Sequence, residues 1–132
     1  MSSEILQSLT SYQYLKTVLL GACDHVSWWR RFFTPSFSKT IYSVKVEYRD
    51  FFISLIPHNF LQHFTKDVIE KDLMPCLTFT SPGRVLASLA YIVCLLDRCK
   101  VANVDFDAVA AVLLEALRKR IEEEVTITAL DF

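Results

Sequence analysis

Chemistry in this chain would have to rest on three histidines and four cysteines, and their spacing does not suit it. His25, His58 and His63 form no His-Glu-x-x-His array, the pattern that places two imidazoles on one zinc ion. Cys23, Cys76, Cys94 and Cys99 include no Cys-x-x-Cys pair. His63 and Asp67 lie one helical turn apart and could share a metal, though a surface pair is the ordinary outcome of that spacing. Cys94 and Cys99 are five residues apart, about 140° around a helix at roughly 100° per residue, so they cannot bridge each other. Gly21 and Gly83 are the only glycines, so no glycine-rich phosphate loop exists, and no nucleophile elbow is present. These absences predict a protein that is not an enzyme and that carries no cofactor or metal, which leaves binding.

For binding, the residue that stands out is Arg84. It opens the apolar run Val85–Leu96, which Ser81-Pro82-Gly83 introduces and Asp97-Arg98-Cys99-Lys100 closes. Ser81 is a good N-cap, since its hydroxyl can satisfy an orphan backbone donor, and Pro82 follows where its missing N–H costs nothing. From 85 to 96 no polar face is left for water, so the helix is expected at the centre of a bundle. It is too short to span a bilayer, which needs about 20 apolar residues. Arg84 puts a cation in the first turn, where the helix macrodipole disfavours it by roughly 0.3–1 kcal/mol. An anionic partner would remove that conflict.

The surrounding elements follow from periodicity. Ile5, Leu9, Tyr12, Leu15 and Leu19 predict a helix over 4–20, with Gly21 as a left-handed stop. Asp24 could cap a short helix with Val26, Trp29 and Phe33 on one side. The stretch Trp28-Trp29-Arg30-Arg31-Phe32-Phe33 has the composition of a membrane-interface segment, but the plainer expectation is aromatics packed on the core with both arginines in water. Residues 39–56 alternate partly as a strand, yet Ile41, Val44, Tyr48, Phe51 and Leu55 fit a helix, and a lone strand would have nothing to pair with. Pro57 ends it. A helix over 58–73 places Phe60, Leu61, Phe64 and Val68 on one side, with its end marked by Pro75. A non-helical connection from Cys76 to Thr80 leads into the central helix. Asp105 caps a last helix over 106–124, whose Arg118-Lys119-Arg120 and Glu122-Glu123-Glu124 read as a solvated end. Residues 125–132 are ambiguous.

Fourteen basic against fifteen acidic residues, with no long run of one sign, argue against a nucleic-acid partner, which needs a basic patch or stripe. With 52% hydrophobic residues, ten Phe and a mean hydropathy of +0.30, the chain is oily enough that some apolar surface should face a partner. The length fits a single domain, 1–132. Without a signal peptide, the four cysteines read as reduced thiols in the cytosol, and no membrane anchor is expected after Phe132.

Thr80-Ser-Pro-Gly-Arg-Val-Leu-Ala-Ser-Leu-Ala-Tyr91 resembles the first homology region of the Bcl-2 family of apoptosis regulators, usually Asn-Trp-Gly-Arg before an apolar helix. Gly83-Arg84 matches, and Ser81-Pro82 replaces Asn-Trp. The setting agrees over about residues 1–125: amphipathic helices around a central apolar helix at about 82–99, an all-α Bcl-2-like bundle. The small size and the missing second homology region are similar to the divergent inhibitors of large DNA viruses, the iridovirus type among them.

The resemblance implies an inhibitor of apoptosis with a surface groove for the homology-three helix of a pro-apoptotic cell protein, a helix-in-groove mode. It implies that Arg84 pairs with an aspartate of that helix. Residues 84, 87, 88 and 91 share one helical face, so Ala87 and Ser88 would admit a ligand backbone between Arg84 and Tyr91. Tyr48, Phe52, Leu55, Phe60, Phe64 and Val68 are the expected groove walls. The alternative for Arg84 is an internal pair with Glu70 or Asp72. Residues 46–52 keep only an Asp-x-Phe echo of a death ligand, with Lys45 where Leu is usual and Arg49 where a small residue is. The implied location is the host cytoplasm, at mitochondria through the partner, and the uncovered apolar surface suggests a homodimer. Rival readings are a helical carrier of an apolar ligand, which would have a closed cavity, and a self-associating structural subunit.

Overall fold

A computed structural model of the chain describes residues 3–27, 30–56, 65–102 and 105–130. In order, the elements are α1 (Ser3–Ser8), α2 (Tyr12–Gly21), a 3-10 turn (Arg30–Phe33), α3 (Ser36–Glu47), α4 (Arg49–Leu55) and α5 (Lys66–Val68). The last runs on as a π-turn, Ile69–Leu73, and a 3-10 turn, Met74–Cys76, before α6 (Pro82–Val101) and α7 (Phe106–Leu130). No strand occurs among the described residues, and the architecture is all-α as predicted.

Helix α6 is the centre. Ser81 caps it, its Oγ accepting the Arg84 N–H at 3.3 Å, and Pro82 is its first residue. Leu89, Ile92, Val93, Leu95 and Leu96 are fully buried against α2, α3, α4 and α7. Each such side chain stabilises the fold by about 1.5–3 kcal/mol relative to exposure. The helix is not sealed all round, however: Leu86, Ala87 and Tyr91 are only partly buried, and Arg84 and Arg98 are exposed. Of these, Ala87 and Tyr91 belong to the floor of the site described below.

Several element boundaries differ from the periodicity reading. The helix expected over 4–20 is two, because Ser11 starts a new one by accepting the Tyr14 N–H at 3.4 Å. Gly21 is the last residue of α2 and not a left-handed stop; the cap is Ala22, in right-handed geometry. What Gly21 provides is room, since a Cβ there would lie 2.9 Å from Thr34 Cγ2 and 3.0 Å from Ser38 Oγ. Ser38 is buried and donates to the Val18 carbonyl at 2.7 Å, so the α2–α3 crossing is tied at its closest approach. Asp24 caps nothing, because its carboxylate is bound by Lys45 and Arg49. Phe33 is 82% exposed, so it does not line the core. Trp28 and Trp29 lie outside the described residues.

The segment 39–56 is α3 and α4, kinked at Tyr48, across which the ladder continues from Tyr48 N–H to Val44 O and from Phe52 N–H to Tyr48 O, both 3.0 Å. Its inward side is Ser38, Ile41, Lys45 and Phe52, and not the stripe through Tyr48, Phe51 and Leu55, which are exposed. Around Pro75 the helix loses its regular geometry and then ends at Cys76, as Pro75 predicts. Pro75 has no N–H for the Lys71 carbonyl and its ring crowds that turn; the backbone widens, Met74 N–H bonding Ile69 O five residues back, and then tightens through Met74–Cys76.

Helix α7 runs to Leu130, past the expected end, and Asp105 caps it, accepting the Ala108 N–H at 3.5 Å. The basic cluster on α7 is more than a solvated end. Arg120 donates to the Leu77 carbonyl at 3.2 Å and lies 5.4 Å over the Phe79 ring, fastening α7 to the connection before α6.

Candidate functional site

Three stretches of backbone leave an apolar groove of about 400 Å³ between them. Helix α4 supplies Phe51, Phe52 and Leu55, and the floor is Ala87, Ser88 and Tyr91 of α6. The far wall is two rows at four-residue spacing, Val68-Asp72-Cys76 and Ile69-Leu73-Leu77. The volume falls in the range of about 300–1,000 Å³ usual for ligand pockets. Phe51, Leu55, Asp72 and Cys76 are exposed, so the groove opens on the surface.

Each wall is fixed by a specific contact. Phe52 is buried and sits 6.4 Å from the Tyr91 ring, and the Tyr91 hydroxyl donates to the Leu55 carbonyl at 3.4 Å, holding α4 on α6. Burial raises the phenol pKa, so this hydroxyl keeps its proton. Ser88 is committed to structure: Oγ donates to Thr78 O at 2.8 Å and accepts Thr78 N–H at 3.3 Å, pinning the connection that carries Leu77. Its small size leaves the floor low, but its hydroxyl is not available to a ligand.

Of the ten residues expected to form the site, Phe52, Leu55, Val68, Ala87, Ser88 and Tyr91 line this groove. Tyr48 does not; it is the exposed kink residue between α3 and α4, and Phe51 takes the wall position. Phe60 and Phe64 lie outside the described residues. Arg84 is exposed one turn before Ala87 and Ser88, beside the groove and not within its lining. Among the described residues its side chain has no hydrogen bond or ion pair, and neither Glu70 nor Asp72 binds it; Glu70 is 4.0 Å from Lys66. Asp72, Leu73, Cys76 and Leu77 were missed as wall residues. For Asp72 and Leu73 the available signal was their i, i+4 spacing with Val68 and Ile69 inside the expected helix; Cys76 and Leu77 fall beyond its expected end.

A second polar centre lies behind α4. Lys45 is fully buried, its Nζ donating to Ala22 O at 2.9 Å, Asp24 Oδ1 at 2.8 Å and Asp97 Oδ2 at 2.7 Å. Asp97 also accepts the Asp24 N–H at 2.8 Å, and Arg49 reaches Asp24 at 3.2 Å. Burial of Asp24 is outweighed by the Lys45 hydrogen bond and the Lys45 and Arg49 charges, so its pKa falls. At Asp97 burial outweighs the same lysine, and its pKa rises. Cys23, His25 and Asp97 place possible metal-ligand atoms within 4.8 Å of one another, but burial and the Asp97 charge push the thiol far up. A metal would have to displace that proton beside the Lys45 ammonium, so the group reads as a structural clamp. Of the pair His63 and Asp67, expected at the surface, His63 lies outside the described residues. Cys23, Cys94 and Cys99 are buried free thiols, the latter two with pKa values raised to about 11 by burial, whereas Cys76 is exposed in the groove.

Comparison with known proteins gives the groove its context. Residues 3–129 match the family model described as adenovirus E1B 19K protein / small t-antigen. The chain is 33% identical over 105 residues to the E1B protein, small T-antigen, of human adenovirus F serotype 40, covering 72% of this chain and 60% of that protein. The corresponding protein of serotype 41 is 32% identical over 105 residues, covering 72% and 59%. The matched region thus spans about three fifths of the length of these relatives. No solved structure matches the chain. The iridovirus type suggested by the small size finds no support, since the matches are adenoviral. The chain belongs to the adenovirus E1B 19K / small t-antigen family.

Proposed function

We propose that this protein inhibits apoptosis by receiving the homology-three helix of a pro-apoptotic host protein in the groove between α4, residues 66–77 and α6. The observation that carries the reading is the conjunction of an open apolar groove with Arg84, a cation beside its floor that has no side-chain partner among the described residues. An amphipathic helix with one aspartate beside its apolar stripe complements both. Membership of a viral small t-antigen family and the Gly83-Arg84 motif support it. On this reading the protein is a binding module and not an enzyme, and it acts in the host cytoplasm, at mitochondria through its partner.

With Phe51, Leu55, Asp72 and Cys76 exposed along it, the groove opens on the surface and is unlike the closed cavity a carrier of apolar molecules would need. Calorimetry of the full chain against a panel of homology-three peptides tests the proposal. Saturable one-to-one binding that protects Cys76 from a thiol reagent is the expected result. Failure of every peptide to bind would overturn it, and binding that leaves Cys76 equally reactive would move the site elsewhere.

A further inference from the structure

We propose that Asp72 is a specificity-determining residue of this groove, selecting a partner helix that carries a basic residue on the edge opposite its aspartate. The inference rests on the helix-binding reading above. Asp72 is the only charged residue among the described groove lining, and it sits in the middle of the row Val68-Asp72-Cys76 with an apolar side chain before it and a thiol after it. Its backbone carbonyl accepts the Cys76 thiol at 3.1 Å, but among the described residues the carboxylate has no hydrogen bond or ion pair. The one ion pair of this segment among the described residues is Lys66 with Glu70, at 4.0 Å.

The position of this acid is set by the π-turn Ile69–Leu73, which holds Ile69 in the core while Asp72 faces the groove. A helix that covers Asp72 with apolar surface would leave the carboxylate desolvated and unpaired, which is unfavourable. A lysine or arginine at that point removes the penalty. Arg84 beside the floor and Asp72 on the far wall then present opposite charges to one helix at two separate points. Reversing the helix direction or sliding it by a turn would part the ligand charges from both residues, so the pair fixes polarity and register as well as partner choice.

The test is calorimetry on the full chain with one homology-three peptide that binds it, and with versions in which each basic residue is replaced in turn by Ala or Glu. Asp72→Asn should weaken the parent peptide about fivefold, the scale of a partly screened ion pair. For one basic position the Ala peptide should no longer distinguish Asp72→Asn from wild type. Asp72→Lys should prefer the Glu version of that same position. If Asp72→Asn binds every version within a factor of two of wild type, Asp72 is a solvated surface acid and this inference alone fails. If no peptide binds the wild-type chain, the groove reading fails with it. Asp72 has no side-chain partner to lose among the described residues, and binding of the Glu peptide to Asp72→Lys would itself show that the variant is folded.

Discussion

Two cations carry the argument at the scale of single residues, and only one of them was legible in the sequence. Arg84 drew attention because a positive charge opposes the helix macrodipole, and the structure leaves it exposed with no ion pair among the described residues. Arg84→Ala should therefore leave stability unchanged and, where a ligand aspartate is buried against it, cost about 2 kcal/mol or more of binding, roughly 30-fold. The same peptide with Asp changed to Ala should bind mutant and wild type alike; binding of the unmodified peptide within threefold of wild type would make Arg84 incidental. Lys45 was seen only as a departure from a motif, since a sequence pattern places lysine outside. Its burial depends on Ala22 O, Asp24 and Asp97, which come from the end of α2 and from α6. Lys45→Met should destabilise the fold by about 3–5 kcal/mol in urea denaturation, because it leaves Asp97 buried without its partner. Asp97 already has a raised pKa, so that deficit should narrow as pH falls into the carboxylate range and the acid protonates. A deficit that does not change with pH would mean that packing, and not charge, is what the substitution removed.

Among the elements, what periodicity reads well is a helix whose burial is nearly complete. Helix α6 was placed to within two residues at its C-terminal end because its capping residues are local and its apolar run is unbroken. Where a long-range contact decides the conformation, the pattern misleads. In the α3–α4 segment the stripe through Tyr48, Phe51 and Leu55 is the apolar one, yet the inward side is decided by Lys45 and Phe52 docking on α6, which no local rule contains. Gly21 is a similar case. A glycine at a helix end suggests a left-handed cap, yet here it makes room for Thr34 and Ser38 at a helix crossing. Gly21→Ala should accordingly destabilise the protein by about 1–3 kcal/mol through overpacking, although alanine is the better helix former. A neutral or stabilising Gly21→Ala in thermal unfolding would show that the crossing can relax. The groove was read for the same mixture of reasons: its α6 floor follows from helical spacing, while the wall beyond Val68 depends on a π-turn around Pro75.

For the molecule as a whole, the balance of charge and apolar surface bears on association. The chain has a net charge of −1 and a mean hydropathy of +0.30, so little electrostatic repulsion opposes contact between copies. Half of the large apolar side chains exposed among the described residues are concentrated in one segment: Val46, Tyr48, Phe51, Ile53 and Leu55 fall within ten residues of α3 and α4, each at least 42% exposed. A patch of this composition is complementary to itself, which is what a two-fold contact between identical chains requires, and a partner helix in the groove would cover only its Phe51 and Leu55 edge. The protein should therefore self-associate at high micromolar concentration, with sedimentation showing a mass that rises with loading. Tyr48→Glu and Ile53→Glu together should return it to a monomer while leaving peptide binding within about twofold, since neither residue lines the groove. A single monomeric boundary for the wild-type chain across the same range would refute self-association, and a double variant that disperses the protein but also abolishes peptide binding would place the ligand on the α4 face and not in the groove.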